Sequence, residues 1–380
     1  MNIPSEFNEI RPFEPEELPA AYERLLADGK FRHVISYLYP NTPFEEVAQT
    51  FRQCTDANKF QKTFAYPFLK NLIAKSGNGC EFNFSNININ QRYTFISNHR
   101  DITLDSAFLA MLLIDAGCAT TVEIAIGDNL LAYPWISDIV RINKAFIVRR
   151  SLPPRDFLVA SKRMADYMHY AVNQKHENIW IAQREGRAKD SNDLTQPSIL
   201  KMMCMGGQGT LKQRLKNLHL CPLTISYEYD PCDYLKAKEY QLKRDTDYKK
   251  TKADDVLNMS TGIFGKKGHI HYHCAPCIDD WLDTLPDDMP KTQFFETVAN
   301  YISKAIHRNH TIYPSNRIAL DILEGTHNGG YTQEQKEEFE AYLDSQMAKI
   351  DLEIPDHPYL RQRILTMYAN PLKNHLAATE

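Results

Sequence analysis

A histidine set among acids, followed along the chain by clusters of cations, is the combination in this sequence best able to do chemistry. Ser97-Asn98-His99-Arg100-Asp101-Ile102-Thr103-Leu104-Asp105 lies between an apolar, β-prone run (Tyr93, Phe95, Ile96) and a more strongly apolar one, Ala107 to Ile114. Polar residues lodged between a strand end and a helix start are where α/β enzymes place their chemistry. A neutral imidazole, with an ordinary pKa of about 6.5, can remove a proton near neutral pH. In the same position histidine can also be a metal ligand or a helix cap. Three more polar stretches follow predicted strands: Gly127-Asp128-Asn129, Arg149-Arg150, and Arg184-Glu185-Gly186-Arg187-Ala188-Lys189. A base beside several cations suits a substrate with a proton to lose and an anionic group to hold. Phosphate is the natural candidate, because arginine offers it a planar fork of donors. Taken singly, each stretch also reads as a cap, a turn or a solvated ion pair. Their joint order carries the argument.

The elements that must position these residues follow from periodicity and breakers. Residues 1–78 read as a helical region, with helices at 15–27, 30–38, 43–54 and 60–75; Asn41-Thr42-Pro43-Phe44-Glu45-Glu46 is a helix start. Gly77-Asn78-Gly79 then breaks the pattern, and strands are expected at 80–88 and 92–96. Beyond them strands at 121–126, 145–149, 178–182, 221–227 and 268–274 alternate with helices. The expectation is an α/β fold: a central mixed sheet flanked by helices across 79–290, with a helical C-terminal extension at 291–380. The stretch 233–267, rich in Lys, Arg, Asp and Glu, reads as a solvated helix laced with ion pairs. Its alternative reading is a surface for anionic headgroups or an acidic carrier protein. His269, His271 and His273 alternate, so a strand puts them on one face. A polar strand face is the preferred reading there over zinc, and no metal site is expected.

Composition sets outer bounds. The 380 residues are 43% apolar and 24% charged with a net charge of −4, which argues against a general nucleic-acid binder. The eight scattered cysteines follow a polar, acidic N-terminus rather than a secretory leader, so reduced thiols and a cytoplasmic location are expected. The longest apolar run, Ala107–Ile114, has eight residues, against the roughly 20 needed to cross a bilayer.

In order and spacing, five segments resemble the glycerolipid acyltransferases, most nearly the bacterial glycerol-3-phosphate acyltransferases. They are Asn98-His99-Arg100, Gly127-Asp128-Asn129-Leu130, Phe146-Ile147-Val148-Arg149-Arg150, Arg184-Glu185-Gly186-Arg187-Ala188-Lys189, and Cys221-Pro222-Leu223-Thr224-Ile225-Ser226-Tyr227-Glu228. The later Gly268-His269-Ile270-His271-Tyr272-His273-Cys274-Ala275-Pro276 is similar to that family's glycine-led strand. The resemblance spans about residues 80–280. Two departures stand out. Five residues separate His99 from Asp105 where the family has four, and Asp101 lies closer still. The third motif lacks a residue between Gly186 and Arg187, and Lys189 stands where a second arginine is usual.

The resemblance implies acyl transfer from a thioester, acyl-CoA or acyl-carrier protein, to a hydroxyl of glycerol-3-phosphate or lysophosphatidic acid, with no cofactor. It makes His99 the general base and Asp105 its orienting partner, with Asp101 the alternative. It assigns Arg100, Gly127, Asn129, Arg149, Glu185, Gly186, Arg187 and Lys189 to substrate. It also implies peripheral contact with the inner face of a membrane. Two other readings stay open: another lipid or glycan acceptor, or a non-catalytic membrane-associated scaffold of the same fold.

Overall fold

From residue 77 onward, short apolar strands alternate with helices whose buried faces cover both sides of a sheet. The computed structural model describes residues 3–39, 41–150 and 152–380. Five helical segments come first: α1 (Leu18–Ala27), α2 (Gly29–Leu38), α3 (Phe44–Arg52), α4 (Ala57–Phe60) and α5 (Tyr66–Ser76). Next come β1 (Gly77–Asn83), β2 (Thr94–Ser97), α6 (Leu104–Asp115), β3 (Val122–Gly127), α7 (Pro134–Ile142), β4 (Ala145–Val148), α8 (Pro154–Asn173) and β5 (Asn178–Ala182). The chain continues through α9 (Pro197–Met203), α10 (Leu211–Lys216), β6 (Leu220–Tyr227), α11 (Asp233–Asp245), α12 (Lys252–Phe264), β7 (Gly268–Cys274) and α13 (Asp279–Asp283). It closes with α14 (Lys291–Arg308), α15 (Pro314–Glu324), α16 (Gln333–Met347) and α17 (His357–Thr379).

The seven strands form one mixed sheet in the order β1-β7-β6-β2-β5-β3-β4. β7 is antiparallel to β6 and parallel to β1, while β6, β2, β5, β3 and β4 all run one way. The C-terminal ends of those five therefore share an edge, and the loops after β2, β3, β4 and β5 carry the four polar stretches. Consecutive residues face opposite cores, as a pleated strand requires. Ile96, Ile179 and Ile181 join α8, α9 and α14 on one side. Phe95 and Trp180 join α5 and α6 on the other.

The N-terminal helices bury an aromatic cluster (Tyr22, Phe31, Phe51, Phe60) together with Ile142 of α7, and Trp135 of the same helix packs against it. α14 contributes Phe294, Phe295, Val298 and Ile302 to the sheet's own core. α15, α16 and α17 form a further core with Tyr229 and Ala237.

Two local expectations fail for identifiable reasons. β1 begins at Gly77 and ends at Asn83, so the glycines read as a break lie inside the strand. Gly77 is there because a Cβ would sit 2.9 Å from the Gly268 carbonyl oxygen, an approach only glycine permits. Asn83 then ends the strand by accepting hydrogen bonds from the Ser85 amide and hydroxyl, an Asx turn. The charged stretch holds two helices, not one. Thr251 and Asp254 form a capping box that starts α12, a signal composition alone obscures.

Candidate active site

The His99 turn is tied down from three sides. Asn98, fully buried, exchanges two 2.8 Å hydrogen bonds with the backbone of Ile225 in β6. Ser97 Oγ donates to the Asn98 carbonyl at 2.7 Å and accepts from Trp180 Nε1 at 3.0 Å. The third tie is Asp105, in the first turn of α6, whose Oδ2 lies 2.8 Å from His99 Nδ1. The same oxygen accepts from the amides of Arg100 at 2.7 Å and Asp101 at 3.1 Å. A buried carboxylate so placed holds Nδ1 as the donor and leaves Nε2 as the basic nitrogen. Nε2 has no protein partner among the described residues. The His99 ring packs edge-on against Trp180, with centroids 5.5 Å apart, which limits its rotation.

Asp101 does not reach His99. Its Oδ1 accepts from the amides of Thr103 and Leu104, each at 2.8 Å, and so caps α6. Its other oxygen lies against Gly262 of α12, where a Cβ would collide with it. Burial, then the neighbouring Asp105, push its carboxyl above the usual range. The extra residue between His99 and Asp105 is thus absorbed by the turn, and the nearer acid serves the helix.

His99 lines a cavity of about 1620 Å³. Part of its wall is polar and built from the strand-end loops. Gly127, Asn129, Arg149, Glu185, Gly186 and Arg187 all line it, as does Lys189. Asn129 Oδ1 lies over Gly127 so closely that a Cβ there would overlap it. Gly186 has φ +67°, a left-handed conformation that favours glycine. Arg187 donates to Asn258 Oδ1 at 2.9 Å, but its buried Nη1 has no partner among the described residues. Arg149 is 42% exposed and 3.9 Å from Asp128. Glu185, largely exposed, lies 4.0 Å from Arg150.

Two residues assigned to substrate are engaged elsewhere. Arg100 is buried, paired with Asp193 and bonded to Ser191, and it lines a separate small polar void with Asp230 and His310. Asp193 and Ser191, in the loop after β5, supply its ion-pair partner and hydrogen-bond acceptor, and Asp230, Asp105 and Asp190 add negative charge around it. Lys189 reaches the cavity wall but is paired with Glu239 of α11, which Lys243 also contacts at 2.9 Å. Burial lowers the Lys189 pKa while the carboxylate opposes that shift.

Sequence reasoning gave no role to Arg150 and Arg184, although both stand in the motifs. Arg150 donates its amide to Asp128 Oδ1 at 3.1 Å, tying the loop after β3 to that after β4. Arg184 lines the cavity with a buried Nε that lacks a partner among the described residues. The signal for both was their adjacency to named residues.

The rest of the wall is apolar, and no motif marks it. It comes from Phe31 of α2, Phe60, Phe64 and Phe68 around α4 and α5, and Met259 and Ile263 of α12. The charged stretch is thus a cavity wall on one face and solvated on the other. Tyr37, Tyr133, Phe157 and Phe264 line the cavity yet are 67%, 39%, 43% and 47% exposed, so the mouth has an aromatic rim. On β7, His271 accepts from or donates to Thr311 at 2.9 Å, and His269 lies 3.4 Å from the Tyr313 hydroxyl.

A buried His–carboxylate pair beside unpaired guanidinium donors can deprotonate a hydroxyl whose molecule also carries an anion. One comparison with known proteins agrees at the level of chemistry. Residues 81–226 match the family model described as Acyltransferase. Among solved structures the chain is similar to the 1-acyl-sn-glycerophosphate (LPA) acyltransferase PlsC from Thermotoga maritima. That likeness is at 12% identity and a TM-score of 0.36, covering 76% of this chain and 95% of that one. No curated protein matches the chain. Among the described residues no helix is long and apolar enough to cross a membrane. The segment that matches the Acyltransferase family model, residues 81–226, holds His99, Asp105 and the polar loops after β2, β3, β4 and β5.

Proposed function

We propose that this protein transfers a fatty acyl group from an acyl thioester to a hydroxyl of glycerol-3-phosphate or its singly acylated product. The observation that carries the reading is one cavity lined by His99, by arginines with unpaired donors and by a long apolar wall. His99 Nε2 takes the proton of the acceptor hydroxyl as its oxygen attacks the thioester carbonyl. Asp105 stabilises the imidazolium that results. When the tetrahedral intermediate collapses, the C–S bond breaks and the imidazolium returns the proton to the departing sulfur. No enzyme nucleophile is required, because the acceptor attacks directly. Arg187 and Arg184 hold the phosphate, each charge-assisted hydrogen bond contributing roughly 1.5–3 kcal/mol, and Asn129 and Arg149 complete that side. The apolar wall takes the acyl chain.

The aromatic rim supports peripheral contact with a bilayer, from which a lipid acceptor or product could pass without crossing water. The test offers acyl-CoA and acyl-carrier protein in turn with glycerol-3-phosphate, with lysophosphatidic acid and with no acceptor, following thiol release and lipid product. Thiol release that requires a phosphate-bearing acceptor and vanishes in His99→Ala is the expected result. Release independent of any acceptor would replace this reading with a thioesterase.

A further inference from the structure

At the sheet edge opposite the catalytic loops, three side chains of different chemistry converge. His219 ends the turn between α10 and β6; Cys277 lies between β7 and α13, and Asp279 is the first residue of α13. One potential ligand atom from each falls within 4.8 Å of the other two, and all three residues are half-buried. His219 Nδ1 is 2.6 Å from Asp279 Oδ2. The other carboxylate oxygen, Oδ1, is buried without a hydrogen-bond partner among the described residues. An orphaned buried carboxylate oxygen is costly unless something meets it.

The backbone brings these groups together at some cost. His219 has φ +48°, an uncommon conformation for a residue other than glycine. It is held there by its carbonyl, which accepts from the Thr94 amide at 3.1 Å. The Cys277 loop is fixed on either side, with the Ala275 amide on Pro222 O at 2.9 Å and the Ile278 amide on Leu220 O at 3.0 Å. Both sides of the cluster are therefore anchored to the first residues of β6. A simple His–Asp ion pair accounts for the imidazole and one oxygen; the Cys277 thiol stands beside the same carboxylate, and Oδ1 is left without a hydrogen-bond partner among the described residues.

We propose that His219, Cys277 and Asp279 bind a divalent transition metal of the zinc class, with water completing four-coordination. Imidazole, thiolate and carboxylate are the ligands that zinc takes, and a mixed set of this kind disfavours magnesium or calcium. On binding, the metal replaces the thiol proton, which passes to solvent, and a metal–sulfur bond forms. The ion would clasp the start of β6 to the β7–α13 loop, at the edge of the sheet away from His99.

The experiment uses the full chain stripped with chelator and titrated with Co(II), whose thiolate complexes show a sulfur-to-metal charge-transfer absorption. Wild type is expected to take up about one Co(II) per chain with that band, and Zn(II) is expected to displace it. Cys277→Ser should lose the band, and His219→Ala should weaken uptake. Cys118→Ser, a half-buried thiol elsewhere, should keep both. Circular dichroism establishes that each variant is folded, and Asp279→Asn offers a near-isosteric substitute if either ligand variant is not. Absence of stoichiometric uptake, or a band that persists in Cys277→Ser, would overturn the proposal.

Discussion

The two parts of the cavity wall are made from different kinds of chain. The polar part comes from four loops at the ends of neighbouring strands, each fixed by hydrogen bonds: Asn98 to Ile225, Asp105 to His99, Asp128 to Arg150 and Glu185 to Gln196. The apolar part comes from helices far apart in sequence, α2 through α5 and α12, whose side chains meet only after folding. In the first part, displacing one atom by an ångström breaks a hydrogen bond and the chemistry with it. In the second, the same displacement changes a volume. If this contrast is sound, variants in the two parts should fail in different kinetic parameters.

The largest effect is expected for His99→Ala. Turnover should fall by about 10²–10⁴-fold with the circular dichroism spectrum unchanged; residual wild-type turnover would remove His99 as the base. Next comes the pair of acids. Asp105→Asn should approach the His99 variant, because amide in place of carboxylate no longer enforces the tautomer. Asp101→Asn should cost about 1 kcal/mol of stability through the α6 cap and much less activity. The opposite ranking in side-by-side kcat measurements would reverse the assignment. Arg187→Ala should raise the acceptor KM roughly 10- to 100-fold, the loss of one charge-assisted contact, and leave donor chain-length preference alone. Phe64→Ala should do the converse, shifting preference toward longer acyl donors by roughly fourfold per methylene with acceptor KM unchanged. A variant in either part that moved both parameters would dissolve the distinction.

A smaller effect concerns how the polar wall is anchored. α11 brings Glu239 and Lys243 to the cavity and is itself held by Asp233, which accepts from Tyr342, Tyr368 and Gln346. Burial, then the nearby Asp230, pushes the Asp233 carboxyl up to about 7. A carboxyl raised in the fold favours the native state in its protonated form. Its contribution is full below the unfolded value of about 3.9 and is lost as pH rises through about 7. Urea midpoints of wild type should therefore fall by an equivalent of about 1–4 kcal/mol between pH 4 and pH 8 relative to Asp233→Asn. Parallel pH profiles of the two proteins would remove this anchor.

The same contrast explains what could be read from residues alone. The strands and the His99 junction were legible because polar groups with few permitted partners announce themselves by type and spacing. Even there, a motif position does not reveal the protein partners of a cation, Asp193 for Arg100 and Glu239 for Lys189. The choice between Asp101 and Asp105 rested on helix geometry and needed only the turn to be seen. The apolar wall left no trace, because Phe31, Phe64 and Ile263 look like any core residues until the cavity beside them is known. The convergence of His219 with Cys277 and Asp279 was equally hidden, as 57 residues of chain lie between the first two.

The separation of the two walls along the chain bears on how such a molecule can diversify. Part of the cavity's apolar lining, Phe31, Phe60, Phe64, Phe68, Met259 and Ile263 among it, lies before residue 70 and after 255, outside the segments that carry the polar loops. On the proposed function, substitution there would retune acyl-chain choice, and with it bilayer thickness and fluidity, one aromatic ring at a time. Asp101 marks the limit of that freedom: its contact with Gly262 is where the measuring helix and the reacting turn inherit each other's mutations.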